Sequence, residues 1–183
     1  MADQIPESGP VEIIAQSFGG LIAIEIAKFR PVTKIFLISS IKSHREKPWF
    51  FRLMRYLPMY FSNQKWIRDR TTWLWGPFFG LNSKADVKLF YRMMPELSDY
   101  YMRWSVRNIV RWKNDKPSVP LVHIHGGLDR IFPIKNIPGH DHLVSGATHS
   151  MVFTHGKEVS DIINEHLRID NRHAVAKDAA AIS

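Results

Sequence analysis

Val11-Glu12-Ile13-Ile14-Ala15-Gln16-Ser17-Phe18-Gly19-Gly20-Leu21 changes its pattern in the middle. Val11 to Ala15 is a short apolar run rich in β-branched residues, and it reads as a buried strand. The run breaks at Gln16-Ser17-Phe18-Gly19-Gly20, and Leu21 to Phe29 then reads as a helix that is apolar on most sides and ended by Arg30-Pro31. A hydroxyl carried on so sharp a strand-to-helix turn needs small neighbours two residues to either side, because the backbone there is crowded. Ala15 and Gly19 are small, and Gly20 lets the helix start close to the sheet.

Outward from this junction strands and helices alternate. Lys34 to Ser39 reads as a second apolar strand, and Asp141 to Ser145 as a short fourth. Ser118 to His125 reads as a third, with Pro120 near its start, where proline is tolerated. Val159, Ile162, Ile163 and Leu167 fall at helical spacing and predict a last amphipathic helix. Strands this continuously apolar belong to a parallel sheet covered on both faces. The fold class is therefore α/β, a mostly parallel sheet of about four strands flanked by helices. Beyond Arg168 the tail (168–183) is polar, then alanine-rich, and is expected to fray. Between the second and third strands lies a long stretch without strand character. Trp49-Phe50-Phe51 with Met54, Leu57 and Tyr60-Phe61 suggest one helix there, Val87 to Met94 a second and Tyr100 to Trp112 a third. This helical insert, about 42–116, reads as a lid on a single domain spanning 1–183.

A chain of 183 residues suffices for one domain with a real core and is too short for two ordinary ones. At 45% hydrophobic and 23% charged residues it is globular rather than disordered. No run of apolar residues is long enough for a transmembrane helix. The opening Met1-Ala2-Asp3-Gln4-Ile5-Pro6-Glu7-Ser8 has no apolar core, so a signal peptide is not expected. The absence of cysteine excludes a disulfide framework, a thiolate metal site and a cysteine nucleophile, and fits an expected cytoplasmic location. The net charge of +8 is concentrated in the insert. Lys42 to Lys116 holds 16 Lys and Arg against 6 Asp and Glu, together with 17 of the 22 aromatic residues. Such a face suits an anionic membrane surface or a nucleic acid. No helix-turn-helix, RNP-like or zinc-finger pattern accompanies it, so nucleic acid is disfavoured and peripheral membrane contact stays open; the oligomeric state is not legible.

The turn at Ala15-Gln16-Ser17-Phe18-Gly19 resembles the nucleophile elbow of the α/β-hydrolase family, G-x-S-x-G, with Ala15 in place of the first glycine. His125-Gly126-Gly127-Leu128-Asp129-Arg130-Ile131-Phe132-Pro133 resembles that family's acid loop, H-G-x-x-D-x-x-x-P, and Ser145-Gly146-Ala147-Thr148-His149 its G-x-x-H loop. The order Ser, Asp, His and the placement of each after a strand agree with the family. The resemblance covers about residues 10–167 and the second half of the family's fold. It implies a serine esterase, lipase or thioesterase acting on a small-molecule ester or acyl substrate without a cofactor. Ser17 would be the nucleophile, His149 the base, Asp129 the orienting acid, and the Phe18 backbone N–H an oxyanion donor. The family's earlier strands, and the loop that gives the second oxyanion N–H, are expected to be absent from this chain. Three expectations follow from that: a piece of a longer protein, a partner chain that supplies the missing half, or a short protein with impaired catalysis. Losing one oxyanion donor costs about 10²–10³ in rate. The alternative reading is accordingly a non-catalytic interaction module that works through the basic, aromatic insert.

Other signals weigh less. His140-Asp141-His142 could be read as metal ligands, but alternation on an extended segment points the two histidines away from the aspartate. His123 and His125 share a strand face, with no neighbouring carboxylate or cysteine in sequence to complete a metal site, and read as a packed or partly exposed pair. Asp141 rivals Asp129 as the acid, yet begins its strand rather than following one. Gly19-Gly20 and Gly126-Gly127 match neither a P-loop nor a dinucleotide fingerprint. Met93-Met94 and Trp73-Leu74-Trp75 read as core or insert packing before they read as the lining of an acyl pocket.

Overall fold

The computed structural model of the chain describes residues 4–5, 9–54, 56, 80, 84, 87, 88, 92 and 99–181. The expected helix at Val87 to Met94 lies mostly outside them, as do Leu57, Tyr60-Phe61, Trp73-Leu74-Trp75 and Met93-Met94. Four strands, β1 (Val11–Gln16), β2 (Val32–Ile38), β3 (Leu121–Gly126) and β4 (His142–Val144), pair in that order and all run parallel. β3 begins at Leu121 because Pro120 has no N–H to donate, although its carbonyl accepts from Ile35.

Both faces of the sheet are covered, as the apolar strands require. Ile35, Phe36, Leu37 and Ile38 of β2 are all buried, and alternation sends them to opposite sides. Ile35 and Leu37 pack with Ala15 against Ala23 and Ile24 of α1 (Phe18–Ile26). Phe36 and Ile38 join Val122, Ile124 and Val144 against Met151 of α4 (Met151–Thr154) and Val159 and Ile163 of α5 (Gly156–Ala181). β1 forms one edge of the sheet and leaves Ile14 exposed.

α1 starts immediately after Ser17, three residues before the position its sequence suggests. Glycine weakens a helix, so Gly19-Gly20 argues locally for a loop; packing against the sheet overrides that preference. A Cβ on Gly20 would lie 2.3 Å from Leu37 Cδ1 and 2.9 Å from Ser40 Cβ, so any larger residue would force these buried side chains to shift. α5 runs on through the alanine-rich segment to Ala181 instead of ending near Arg168, in keeping with alanine's high helix propensity.

Two helices of the insert are described, α2 (Trp49–Met54) and α3 (Asp99–Arg111). Phe51 and Ile109 from them close a third apolar cluster with Leu21, Ile41, Phe132 and Ile137. Lys47 Nζ donates to the carbonyls of Ile109, Val110 and Trp112, which satisfies and charge-balances the C-terminal end of α3. Trp112 Nε1 donates to Glu25 Oε1 at 2.8 Å and ties that end to α1.

The loops after β3 and β4 touch backbone to backbone. Leu128 N–H donates to the Ala147 carbonyl, and a Cβ on Gly126 would come within 2.6 Å of that same carbonyl oxygen. Gly126→Ala is therefore expected to lower stability by about 1–3 kcal/mol. A thermal melt checks this at about 2–4 °C per kcal/mol for a domain of this size.

Candidate active site

Parallel strands end on one edge. The register sets Gln16 beside Ile38, Ile38 beside Ile124 and Ile124 beside His142, so the segments leaving β1, β3 and β4 emerge side by side. Ser17, Asp129 and His149 all lie on those segments.

Ser17 has φ 52° and ψ −124°, a left-handed conformation rare for a residue with a Cβ. Its neighbours hold it there. Ser17 N–H donates to the Ile38 carbonyl at 2.9 Å, and the Ser17 carbonyl accepts from Ser40 Oγ at 2.6 Å and from Gly20 N–H at 3.0 Å. The strain lifts the hydroxyl off the strand end. Ser17 Oγ then lies 2.8 Å from His149 Nε2, and His149 Nδ1 lies 2.9 Å from Asp129 Oδ2. With a carboxylate on Nδ1, that nitrogen carries the hydrogen, and Nε2 accepts from the hydroxyl. Gln16 Nε2 donates to the His149 carbonyl at 3.1 Å, so the elbow also grips the histidine's backbone.

Asp129 is sealed from water, and its other oxygen, Oδ1, accepts from Ile131 N–H at 2.8 Å and Phe132 N–H at 2.9 Å. A buried carboxylate needs this degree of satisfaction. Phe18 opens α1, so its backbone N–H is one of the orphan donors of a helix start. Among the described residues no group accepts from it. Its ring packs edge-on against Trp104 at 5.3 Å and Tyr101 at 6.5 Å, both on α3.

The other candidates are placed elsewhere. Asp141 Oδ2 accepts from His123 N–H at 2.7 Å, across the β3–β4 edge, and His140 Nδ1 sits on the Ile137 carbonyl. His123 and His125 are wholly buried rather than partly exposed, with rings edge-to-face at 5.3 Å. Burial pushes His123 down to about 3, helped by nearby His125 and Lys42, and burial lowers His125 as well. His142 and His166 share an Nε2–Nε2 contact of 2.9 Å. Among the described residues no group of three or more His, Asp or Glu is placed to hold a metal, and no helix is long and apolar enough to cross a membrane. Sequence reasoning missed Gln16 and Ser40 as supports of the turn, because their partners are fixed only by the fold.

No protein-family model and no curated protein matches the sequence. Solved structures match its fold. A serine hydrolase involved in carbazole degradation (CarC enzyme) superposes with a TM-score of 0.60 at 16% identity, over 92% of this chain and 67% of that one. A thermophilic esterase from Thermogutta terrifontis gives 0.53 at 16% identity, over 87% and 65%. An epoxide hydrolase from Bacillus megaterium gives 0.54 at 15% identity, over 85% and 68%. The chain has part of the α/β-hydrolase fold and spans about two thirds of the length of the structures it matches.

Two outcomes follow from this geometry. Ser17→Gly is expected to melt higher than Ser17→Ala. Both variants lack the hydroxyl, but only glycine relieves a backbone strain of about 1–3 kcal/mol. Paired thermal melts measure the difference. The second concerns His123, whose folded-state pKa lies below its unfolded value near 6.5. The unfolded chain therefore takes up a proton that the native state refuses. Stability is complete above pH ~6.5 and falls by up to about 1.4 kcal/mol per unit as pH drops from there toward 3. Urea titrations at pH 7 and pH 5 are expected to show a smaller loss for His123→Phe than for the wild type.

Proposed function

We propose that this chain carries the reacting half of a serine hydrolase that cleaves a carboxylic ester or thioester. The observation behind the proposal is the unbroken hydrogen-bond series from Ser17 Oγ through the His149 imidazole to Asp129. A serine hydroxyl is a weak nucleophile until a base takes its proton as the new bond forms. His149 Nε2 is within reach to do so, and Asp129 fixes the ring's tautomer and stabilises the imidazolium. Ser17 Oγ bonds to the acyl carbon, and the tetrahedral oxyanion draws on the Phe18 N–H. A single such donor lowers a barrier by about 3 kcal/mol. His149 returns its proton to the leaving alcohol or thiol as that bond breaks, leaving an acyl-enzyme on Ser17. Water, deprotonated by His149, then releases the acid and restores the hydroxyl. The reaction draws on no cofactor.

The superposed CarC enzyme is a serine hydrolase and the superposed Thermogutta protein an esterase, which supports this class of chemistry. The aromatic residues of the insert suit a hydrophobic acyl group, and the insert is read as the lid over it.

A fluorophosphonate probe tests the reading. The wild type is expected to label stoichiometrically and Ser17→Ala not at all. Asp129→Asn is expected to label more slowly by about 10⁴, the loss that follows when the imidazole takes the wrong tautomer. A folded wild type that takes no label would overturn the proposal in favour of an interaction module that works through the basic insert.

A further inference from the structure

The imidazole of His125 takes no part in the steps above, yet it lies directly behind the acid. Its Nε2 is 2.8 Å from the Phe132 carbonyl oxygen and 3.6 Å from Asp129 Oδ2. A carbonyl only accepts, so Nε2 carries the hydrogen and donates it. The peptide groups around Phe132 thus work in two directions. The Phe132 N–H points at Asp129 Oδ1, while its carbonyl is held from behind by His125. The Phe132 ring, wholly buried, lies 5.7 Å from the His149 ring and 5.7 Å from Phe51.

We propose that His125 is a positioning residue for the Asp129 carboxylate: by holding the Phe132 carbonyl it closes the 126–132 turn, so that two backbone N–H groups fix Oδ1 and leave Oδ2 to His149. The proposal rests on the reading of Ser17, His149 and Asp129 as the reacting groups, and it extends that reading one residue outward. His125 suits the task only as a neutral ring. A cation 3.6 Å from Oδ2 would compete with His149 for the same oxygen. Burial lowers its pKa, outweighing the opposite pull of Asp129 and of the Phe132 carbonyl. A ring also spans a distance that shorter donors do not. Without it the buried Phe132 carbonyl would lose its partner, at the usual penalty for an unsatisfied group.

Three variants separate this role from simple packing. His125→Phe keeps the ring and removes the donor. His125→Asn stays polar but falls short of the carbonyl. His125→Gln returns an amide N–H to the place of Nε2. The direct measurement is the proton NMR resonance of the His149 Nδ1–H, which a carboxylate partner draws far downfield. The wild type is expected to show it, the Phe and Asn variants to lose or shift it, and the Gln variant to restore it, with folding followed by circular dichroism. In fluorophosphonate labelling the limiting rate is expected to fall about 10–100-fold in the first two variants, as a misplacement of about 1 Å does. The half-saturating probe concentration should stay unchanged, and the Gln variant should recover the rate. No downfield resonance in the wild type, or one unaltered in both the Phe and the Asn variants, overturns the proposal. A wild type that shows the expected resonances but takes no label removes the hydrolase reading and upholds the positioning role.

Discussion

A carboxylate sealed from water must find every hydrogen bond inside the protein, and Asp129 sets that condition on the architecture around it. Its two oxygens together take two backbone N–H groups and one imidazole N–H. A buried charge without such partners would cost several kcal/mol, and its pKa would rise until it took up a proton. The turn after β3 cannot relax without uncovering the charge. His149 cannot swing away without abandoning Oδ2, and both peptide groups flanking the Phe132 Cα are held, one through its N–H and the other through its carbonyl. One constraint therefore fixes Asp129, His149 and Phe132 together.

The parallel sheet makes this arrangement available. Because β1, β3 and β4 run the same way in register, their carboxyl ends open onto a common edge, where such sheets place their ligands. Three devices refine the position: the left-handed backbone of Ser17, the close approach at Gly20 and the backbone contact at Gly126. The first is unfavourable by itself. It persists because the surrounding hydrogen bonds leave no alternative, with Ile38, Ser40 and Gly20 all bonded to the backbone of Ser17. Strain that is over-determined in this way collects where geometry matters more than stability.

The turn at Ser17 was legible because its chemistry is local: small residues flank a serine between an apolar strand and an apolar helix. Asp129 could be told from Asp141 because one follows its strand and the other precedes it, and the structure puts Asp141 on the His123 backbone instead. The strands themselves read well, since burial on both faces writes itself as unbroken apolar runs. What could not be read depends on tertiary contact. Gly19-Gly20 obscured the start of α1, because glycine's weak propensity speaks locally and the packing against Leu37 does not. α4 has only four residues, too few for a periodic signal. The reach of Gln16 to the His149 carbonyl and of Ser40 to the Ser17 carbonyl spans 133 and 23 residues of sequence. His125 reads in sequence as one of a packed or partly exposed pair with His123, and only its complete burial in the fold brings it against the Phe132 carbonyl beside Asp129.

Phe18 links the edge of the sheet to the insert. Its N–H belongs to the first turn of α1, next to the strained serine, while its ring packs edge-on against Tyr101 and Trp104 of α3. α3 is in turn pinned at its other end by Lys47 and by the bond from Trp112 to Glu25. The donor that serves the oxyanion in the proposed reaction is therefore braced from two sides, by the sheet through Ser17 and by the insert through the Phe18 ring. A backbone N–H acts on developing charge only if it does not have to reorient when the charge appears. Aromatic contacts across α1 and α3 supply that rigidity without adding a charge of their own.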